Sequence, residues 1–361
     1  MTIADMLIFL EQLAPKGLAC SWDNVGLQVG SPDWAADRVL LTLDVTAAVI
    51  DYARNKGFDL ILSHHPLIFK PVHSVSRPDI LRLVEYRIGV IALHTNLDVV
   101  PDGVNYALAE VLGLTKLRVL SPETGSVWYH GSVTVPPDYV DRVRIALHNA
   151  GAGRIGAYDR CSTAHPVSGT FRALPESQPF LGNKGSLEQV EEVELEFMVD
   201  GFHLAAVKQA LAAVHPYETP AAYFVAVETA NPAYGLGLIG ELAAETTLED
   251  FARQVKQRLQ APGVQLWTAG KPRKQLVRQI AICGGAGGSL IGQATGRADV
   301  FVTGDLNYHA MLDSRIPLIN AGHFWTEYPV LPALKRILAA SEAKVAVFPL
   351  SLAAVNQIHY Y

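Results

Sequence analysis

Cysteine is scarce in this sequence, with only Cys20, Cys161 and Cys283 among 361 residues. No two of them form a CxxC pair, so neither a disulfide framework nor a thiolate zinc site is expected. Free thiols suit a reducing compartment, and we expect a cytoplasmic protein. Long apolar runs are also missing, because proline, glycine or charge interrupts each one before it could cross a bilayer. The first residues lack the basic and apolar regions of a signal peptide, so we expect no export.

An excess of basic residues is absent too: 29 Lys and Arg face 35 Asp and Glu, which gives a net charge of −6. A broad phosphate-neutralising surface needs a surplus of Lys and Arg, so nucleic acid is not the expected partner. Hydrophobic residues, in contrast, make up 50% of the chain. This supply and the chain length predict two or three domains with buried cores.

Apolar strands alternate with helices in the first third of the chain. The pattern predicts strands over residues 39–44, 59–63 and 88–93, with helices over 45–56 and 78–86. This β-α-β order favours parallel strands.

The strand predicted over residues 59–63 runs directly into His64 and His65 and stops at Pro66. Open α/β sheets commonly bind ligands at the carboxyl ends of their strands. We therefore predict that the two imidazoles are metal ligands, one for each of two metals.

The C-terminal part repeats this arrangement. Strands are predicted over residues 279–284, 299–305 and 316–320. The first two strands begin 20 residues apart in both halves, and the constant offset places Thr303, Gly304 and Asp305 opposite Ser63, His64 and His65. The pattern predicts an α/β fold whose two related halves, a degenerate internal duplication, form one metal-site unit.

A segment without the repeat lies between the halves. Strands are predicted over 129–136, 191–199 and 223–227, and helices over 137–150 and 202–214. If the Gly-, Pro- and Ser-rich stretch 151–185 supplies one strand, the order is β-α-β-β-α-β, that of a ferredoxin-like α+β domain. We expect an N-terminal half at 1–125, an inserted domain at 126–230 and a C-terminal half at 231–361, with the return linker near 231–235.

Five residues at or just past predicted strand ends form the candidate metal site: His64, His65, Asp98, His323 and Glu327. The last two are spaced i, i+4, which places both on one face if the segment is helical. Imidazole nitrogen and carboxylate oxygen suit Zn, Mn, Fe or Co. Five ligands serve two metals if one carboxylate bridges and water fills the open positions.

Other features have two interpretations each. His94, His309 and Asp305 are candidates for supporting or acid–base roles, or are ordinary loop and cap residues. The glycines at 284–288 either present N–H groups to an anion or allow close packing. The segment 21–30 is either a turn capped by a buried tryptophan or a loop over the metal site.

Several motifs taken together resemble the GTP cyclohydrolase I type 2 homologues, also called the NGG-one-interacting-factor-three-like family. They are SWDNVGLQVG (21–30), SHHP (63–66), HTNLD (94–98), TGDLNYH (303–309) and GHFWTE (322–327). The resemblance implies a two-metal site carried by the same five residues, with Glu327 as the bridge. It also implies a toroidal homohexamer whose sites face an internal cavity. The stretches at 153–162 and 215–218 resemble the insert of longer bacterial members, which is similar to the PII and CutA proteins.

These observations predict a dinuclear metal-dependent hydrolase acting on a small nucleotide-like or phosphorylated compound. Water activated by the metals is the expected nucleophile, and His94 is the candidate proton carrier. Zinc is the first expectation among the metals, with Mn, Fe or Co as alternatives. The alternative hypothesis is a non-enzymatic metal-binding or regulatory oligomer.

Overall fold

The computed structural model describes residues 1–122, 127–156, 158–227 and 234–358. The chain divides into two compact units. Unit 1 combines Met1–Pro122 with Ala233–Tyr361, and unit 2 is Glu123–Pro232. The predicted boundaries at 125/126 and 230/231 and most of the predicted linker at 231–235 lie outside the described residues. Within the described parts, no helix has the length and apolarity needed to cross a membrane.

The helices, in chain order, are α1 (Ile3–Leu13), α2 (Ala47–Lys56), α3 (Pro78–Glu85), α4 (Thr95–Val99), α5 (Val104–Val111), α6 (Val140–Asn149), α7 (Leu204–Val214), α8 (Leu248–Leu259), α9 (Ile291–Ala294), α10 (Tyr308–Asp313), α11 (His323–Glu327) and α12 (Val330–Leu338). The strands are β1 (Gly26–Val29), β2 (Arg38–Thr42), β3 (Leu60–Ser63), β4 (Gly89–Ala92), β5 (Thr115–Pro122), β6 (Trp128–Val135), β7 (Thr163–Arg172), β8 (Leu187–Asp200), β9 (Ala222–Val227), β10 (Gly235–Thr247), β11 (Gln265–Trp267), β12 (Leu276–Ile282), β13 (Val300–Thr303), β14 (Leu318–Asn320) and β15 (Lys344–Val347).

The first sheet of unit 1 has the order β1-β4-β3-β2-β15. The strands β15, β2, β3 and β4 are parallel, as predicted for the β-α-β units, and β1 is antiparallel to β4. Both β3 and β4 are buried throughout, which explains their unbroken aliphatic sequences. Thr42, Ser63 and Ala92 are register partners, so the residues that follow them emerge at one edge of the sheet.

The second sheet has the order β11-β14-β13-β12-β10-β5. Its three central strands, β12, β13 and β14, are parallel, and the flanking strands are antiparallel. Val300, Val302 and Ile319 belong to the core on one face of this sheet, and Phe301 and Leu318 to the core on the other. Their carboxyl ends again lead into polar residues, among them Asp305 and His323.

Only the first residues of the segment 21–30 form the loop that both sequence-based interpretations expected, and there Trp22 and Asp23 contact His94. The segment also contains β1, an antiparallel edge strand, and Trp22 is 59% exposed, so the prediction of a buried tryptophan is wrong. Turn-forming Asp, Asn and Gly residues obscured a strand that is only four residues long. The HTNLD segment also differs from a simple strand end, because Asp98 lies on the short helix α4.

Unit 2 contains one antiparallel sheet in the order β7-β8-β6-β9. The irregular stretch 151–185 supplies one strand, β7. Helices α6 and α7 pack on the sheet, with Val143, Leu147, Val207 and Leu211 in its core.

Candidate metal centre

His64 directly follows β3 and is 2% exposed. Its backbone N–H donates to the carbonyl of Thr42, which extends the parallel ladder by one residue. Its ring Nδ1 lies 2.8 Å from the carbonyl oxygen of Leu93, and a carbonyl can only accept, so Nδ1 carries the proton. The lone pair of Nε2 is therefore free, and this atom is buried without a hydrogen-bond partner among the described residues.

His65 and His323 are held in the same way by carboxylates. His65 Nδ1 lies 2.8 Å from Asp44 Oδ1, and His323 Nδ1 lies 2.6 Å from Asp305 Oδ2. A carboxylate on Nδ1 fixes the ring orientation and leaves Nε2 as the coordinating atom, as is usual for metal-binding histidines. Both Nε2 atoms point toward Glu327.

The Glu327 carboxylate lies at the centre of these imidazoles and is only 4% exposed. Oε1 is 3.0 Å from His323 Nε2 and 3.5 Å from His64 Nε2, and Oε2 is 3.0 Å from His65 Nε2. Oε2 nevertheless has no aligned hydrogen bond in the described structure. Lone pairs that face each other at such distances repel unless a proton or a cation lies between them.

Asp98 completes the set, with Oδ1 3.7 Å from His64 Nε2. The amide of buried Asn105 donates to the Asp98 carbonyl and accepts from the N–H of Gly284, which ties α4 to the second sheet. The structure thus brings all five predicted residues together. Among them His64, His65 and Glu327 form a group that could hold a metal ion, with ligand atoms within 4.8 Å of one another.

The pKa shifts of His65, His323 and Glu327 reflect how closely these side chains approach one another. Burial lowers the pKa of His65, but Asp44 and Glu327 outweigh it and raise this pKa to about 10. Glu327 likewise raises the pKa of His323 to about 9. Burial raises the pKa of Glu327, yet the facing imidazoles hold it well below its usual value. The cluster therefore attracts cations, and protons occupy it when no metal does.

For Asp98 and His94, burial has a larger effect on the pKa than the neighbouring groups of opposite charge. Burial, with the nearby Glu327 charge, raises the pKa of Asp98 to about 6. Burial lowers the pKa of His94, although its Nδ1 lies 2.9 Å from Asp23 Oδ1. The His94 ring stands 5.4 Å from the His64 ring between centroids. His94 is thus placed beside the candidate ligand cluster, and its Nε2 makes no hydrogen bond among the described residues.

The glycine cluster packs rather than opening toward an anion. The N–H of Gly285 donates to Thr326 Oγ1, and that of Gly287 donates to Thr303 Oγ1. These two N–H groups already have acceptors within the protein and are not available to an anion. Gly285 has a φ of +63°, and a Cβ there would collide with Glu327 Oε1, so the absence of a side chain makes room for the carboxylate. Of the two interpretations, the geometry supports close packing.

Sequence reasoning missed Asp44 and Asp23. Asp44 lies just after β2, at the same sheet edge as His65, and this position was the available clue. Asp23 is within the SWDN motif and also accepts from the backbone and hydroxyl of Thr95. Asp305 supports His323, as one interpretation expected. His309 is exposed on α10, and no contact among the described residues links it to the cluster.

Replacing Asp44 by alanine should weaken metal binding by about 10–100-fold, the usual effect of losing a carboxylate behind a ligating histidine. The His65 ring would lose the group that fixes its orientation and its Nδ1 proton. Competition titration with a chromogenic chelator measures the change. Asp313→Ala, an exposed aspartate on α10, is the control. Equal affinity of both variants and the wild type would contradict this role.

Comparison with known proteins defines the family. The sequence profile described as Duf34/NIF3 (NGG1p interacting factor 3) matches residues 1–354. The chain belongs to this family. The sequence-based resemblance is thereby confirmed.

Relatives and solved structures cover nearly the whole chain. A protein of Staphylococcus aureus (strain Mu50) named GTP cyclohydrolase 1 type 2 homolog is 38% identical over 346 residues, 94% of this chain and 93% of its own length. A homologue of the same name from Halalkalibacterium halodurans is 39% identical over 324 residues, 87% of this chain and 86% of its own. The structure of a Bacillus cereus protein related to NIF3 superposes with a TM-score of 0.85 at 34% identity, covering 97% of both chains.

Proposed function

We propose that the protein is a dinuclear metal-dependent hydrolase of a small nucleotide-like or phosphorylated compound. One observation carries the proposal: the Nε2 lone pairs of His64, His65 and His323 converge on the buried Glu327 carboxylate. Buried imidazoles around one carboxylate are a typical ligand set for divalent cations, which would displace the protons that otherwise occupy the cluster. The name of the relatives, GTP cyclohydrolase 1 type 2 homolog, supports a nucleotide-like substrate.

The ligands divide between two ions in this proposal. His64 and Asp98 would hold one ion, His65 and His323 would hold the other, and Glu327 would be shared between them. The donors are nitrogen and oxygen only, which suits zinc first and Mn, Fe or Co as alternatives. Cys283, although buried, points its thiol to the Gly284 carbonyl and is not in the donor set.

Two divalent ions held here would supply a water of lowered pKa as the nucleophile. The protein's own contribution is positioning and proton transfer. Asp23 fixes His94 through Nδ1, and the free Nε2 can take a proton beside the cluster. Exposed Trp22 lies edge-on to His94, with centroids 6.2 Å apart, and 5.8 Å from Phe69. The exposed faces of Trp22 and Phe69 offer apolar aromatic surface to a heterocyclic substrate.

His94→Gln separates catalysis from metal binding. We expect turnover to fall by about 10²–10⁴-fold, the usual contribution of a general acid or base, with metal content unchanged. Zinc- and manganese-loaded wild type and variant are assayed for release of formate or phosphate from a nucleotide panel. Equal turnover in both would remove His94 from the mechanism. If the loaded wild type turns over nothing, and loss of metal only destabilises the assembly, the non-enzymatic alternative replaces the hydrolase.

The finer features of the fold are also proposals. An internal duplication is supported by two equivalent strand orders, β1-β4-β3-β2 and β11-β14-β13-β12, each with three parallel strands and one antiparallel edge. Helices α1 and α8 precede the two edge strands in the same way.

The inserted domain at 126–230 is proposed to be ferredoxin-like and similar to the PII and CutA proteins. Its element order β6-α6-β7-β8-α7-β9 and its sheet order β7-β8-β6-β9 support a ferredoxin-like module. Following the family resemblance, we further propose a cytoplasmic homohexamer whose sites face an internal cavity, open to a small-molecule substrate.

A further inference from the structure

Unit 2 contains a pocket of about 370 Å³, and none of its lining residues belongs to the candidate metal centre. This volume lies in the lower part of the range of small-molecule sites, about 300–1,000 Å³. Its walls are mostly apolar, with Phe171, Pro179, Phe180 and Leu181 among the lining residues. The Phe180 ring lies 6.1 Å from the Tyr217 ring between centroids, and together they form an aromatic side of the pocket.

A carboxylate lines this apolar pocket beside a tyrosine hydroxyl. Glu192 on β8 is 7% exposed, and its Oε1 is buried with no hydrogen-bond partner among the described residues. Gly169 on the neighbouring strand β7 makes room for it, because a Cβ there would lie 2.5 Å from Glu192 Oε2. The Tyr217 hydroxyl lines the same pocket and lies close enough to Glu192 that burial and this carboxylate raise the pKa of Tyr217. One phenol O–H satisfies only one acceptor position of a carboxylate, so Glu192 can still accept hydrogen bonds from a bound ligand.

The nearby histidine cannot supply the missing positive charge. His215 Nε2 donates to the Thr134 carbonyl at 3.0 Å, and Nδ1 accepts from the N–H of Tyr217 at 3.0 Å. These two bonds fix the neutral tautomer, and burial lowers the pKa of His215. The pocket lining contains a second carboxylate, Glu218, and no Lys or Arg. Neutral donors, the Gln178 N–H to Glu218 and the Tyr217 hydroxyl to Glu192, are thus what these two carboxylates face among the described residues of the lining.

We propose that this pocket binds a small organic cation with a flat apolar body, such as an aryl amidinium or an aryl alkylammonium. The N–H groups of the cation donate to Glu192, and its ring lies against Phe180 and Tyr217. A charge-assisted bond to a buried carboxylate provides selectivity over neutral molecules of the same shape. The site is independent of the metal chemistry, so the inserted domain carries a binding function of its own.

Calorimetric titration of the full-length protein with benzamidinium and protonated tryptamine tests the proposal, with neutral benzamide as the matched probe. We expect saturable binding of at least one cation, and benzamide at least about tenfold weaker than benzamidinium. Glu192→Gln keeps the volume and should remove that preference. Tyr217→Phe keeps the ring and should weaken binding less, which provides a second variant if the first folds poorly.

Two controls locate the effect. Glu191→Gln changes the adjacent exposed glutamate on the opposite face of β8 and should bind like the wild type. Glu327→Gln alters the metal centre and should also bind like the wild type. Failure of both cations to bind, equal binding of benzamide, or unchanged binding by Glu192→Gln would overturn the proposal. A shift of the oligomeric state in Glu192→Gln without probe binding would overturn it too, since a side chain of another copy would then fill the pocket.

Discussion

Glu327→Gln should strip both metal ions from the protein while leaving it folded. The change keeps the volume of a buried side chain but removes the charge that faces three imidazoles. In the metal-free protein the protonated imidazoles pair with the Glu327 carboxylate, and the amide N–H of the variant can instead donate to one neutral imidazole. Since removing a supporting residue already costs about 10–100-fold, loss of the bridging ligand should cost more than about a hundredfold in affinity for each ion.

Metal analysis after zinc loading and dialysis measures this effect, with circular dichroism as the test of folding. Glu342→Gln, an exposed glutamate of the same unit, is the matched control. The account requires wild-type metal content in the control and almost none in Glu327→Gln. A variant that retains both ions would show that Glu327 is not a ligand, and one that retains a single ion would show that it does not bridge.

Gly285→Ala should weaken metal binding by more than about tenfold, although Gly285 is not itself a candidate ligand. Gly285 has a φ of +63°, and its backbone is fixed by bonds to Thr326, Gly304 and Thr303. A residue with a Cβ in this left-handed region loses about 1–2 kcal/mol of stability. The new methyl group would also collide with Glu327 Oε1, and a buried carboxylate so closely surrounded cannot move away without leaving the imidazoles.

Gly296→Ala is the control that separates backbone strain from the collision with Glu327. Gly296 has a φ of +77°, but a Cβ there meets nothing within 4 Å. Both variants should lose about 1–2 kcal/mol in the free energy of unfolding from backbone strain, measured on metal-free protein in urea. Only Gly285→Ala should lose metal affinity, by more than about tenfold. Equal metal binding by the two variants would disprove the packing role of Gly285.

Much of the candidate metal centre could be predicted because most of its candidate ligands lie just after strand ends. The aliphatic segments around residues 60 and 90 are buried on both faces, and such strands leave an unmistakable apolar pattern. Parallel pairing then brings the residues after Ser63 and Ala92 to one sheet edge. The i, i+4 spacing of His323 and Glu327 likewise holds in the structure as one short helix.

The position after a strand end did not suffice to predict Asp44 and Asp23, the carboxylates that contact His65 and His94. Asp44 and Asp23 contact histidines that are 21 and 71 residues away in sequence, and single aspartates in turns are common. Edge strand β1 was hidden because its pairing with β4, rather than its own composition, stabilises it. The alternation of polar and apolar residues along β8 predicts that Glu192 faces solvent. In the structure it is buried because residues 177–181 cover it and form part of the pocket lining.

An anomalous difference map of zinc-loaded crystals would show whether Glu327 lies between two metal ions. We expect two separate peaks, about 3.5–4 Å apart as in other two-metal sites. One should contact His64 and Asp98, the other His65 and His323, and Glu327 should touch both. A single peak, or zinc bound away from Glu327, would contradict this arrangement.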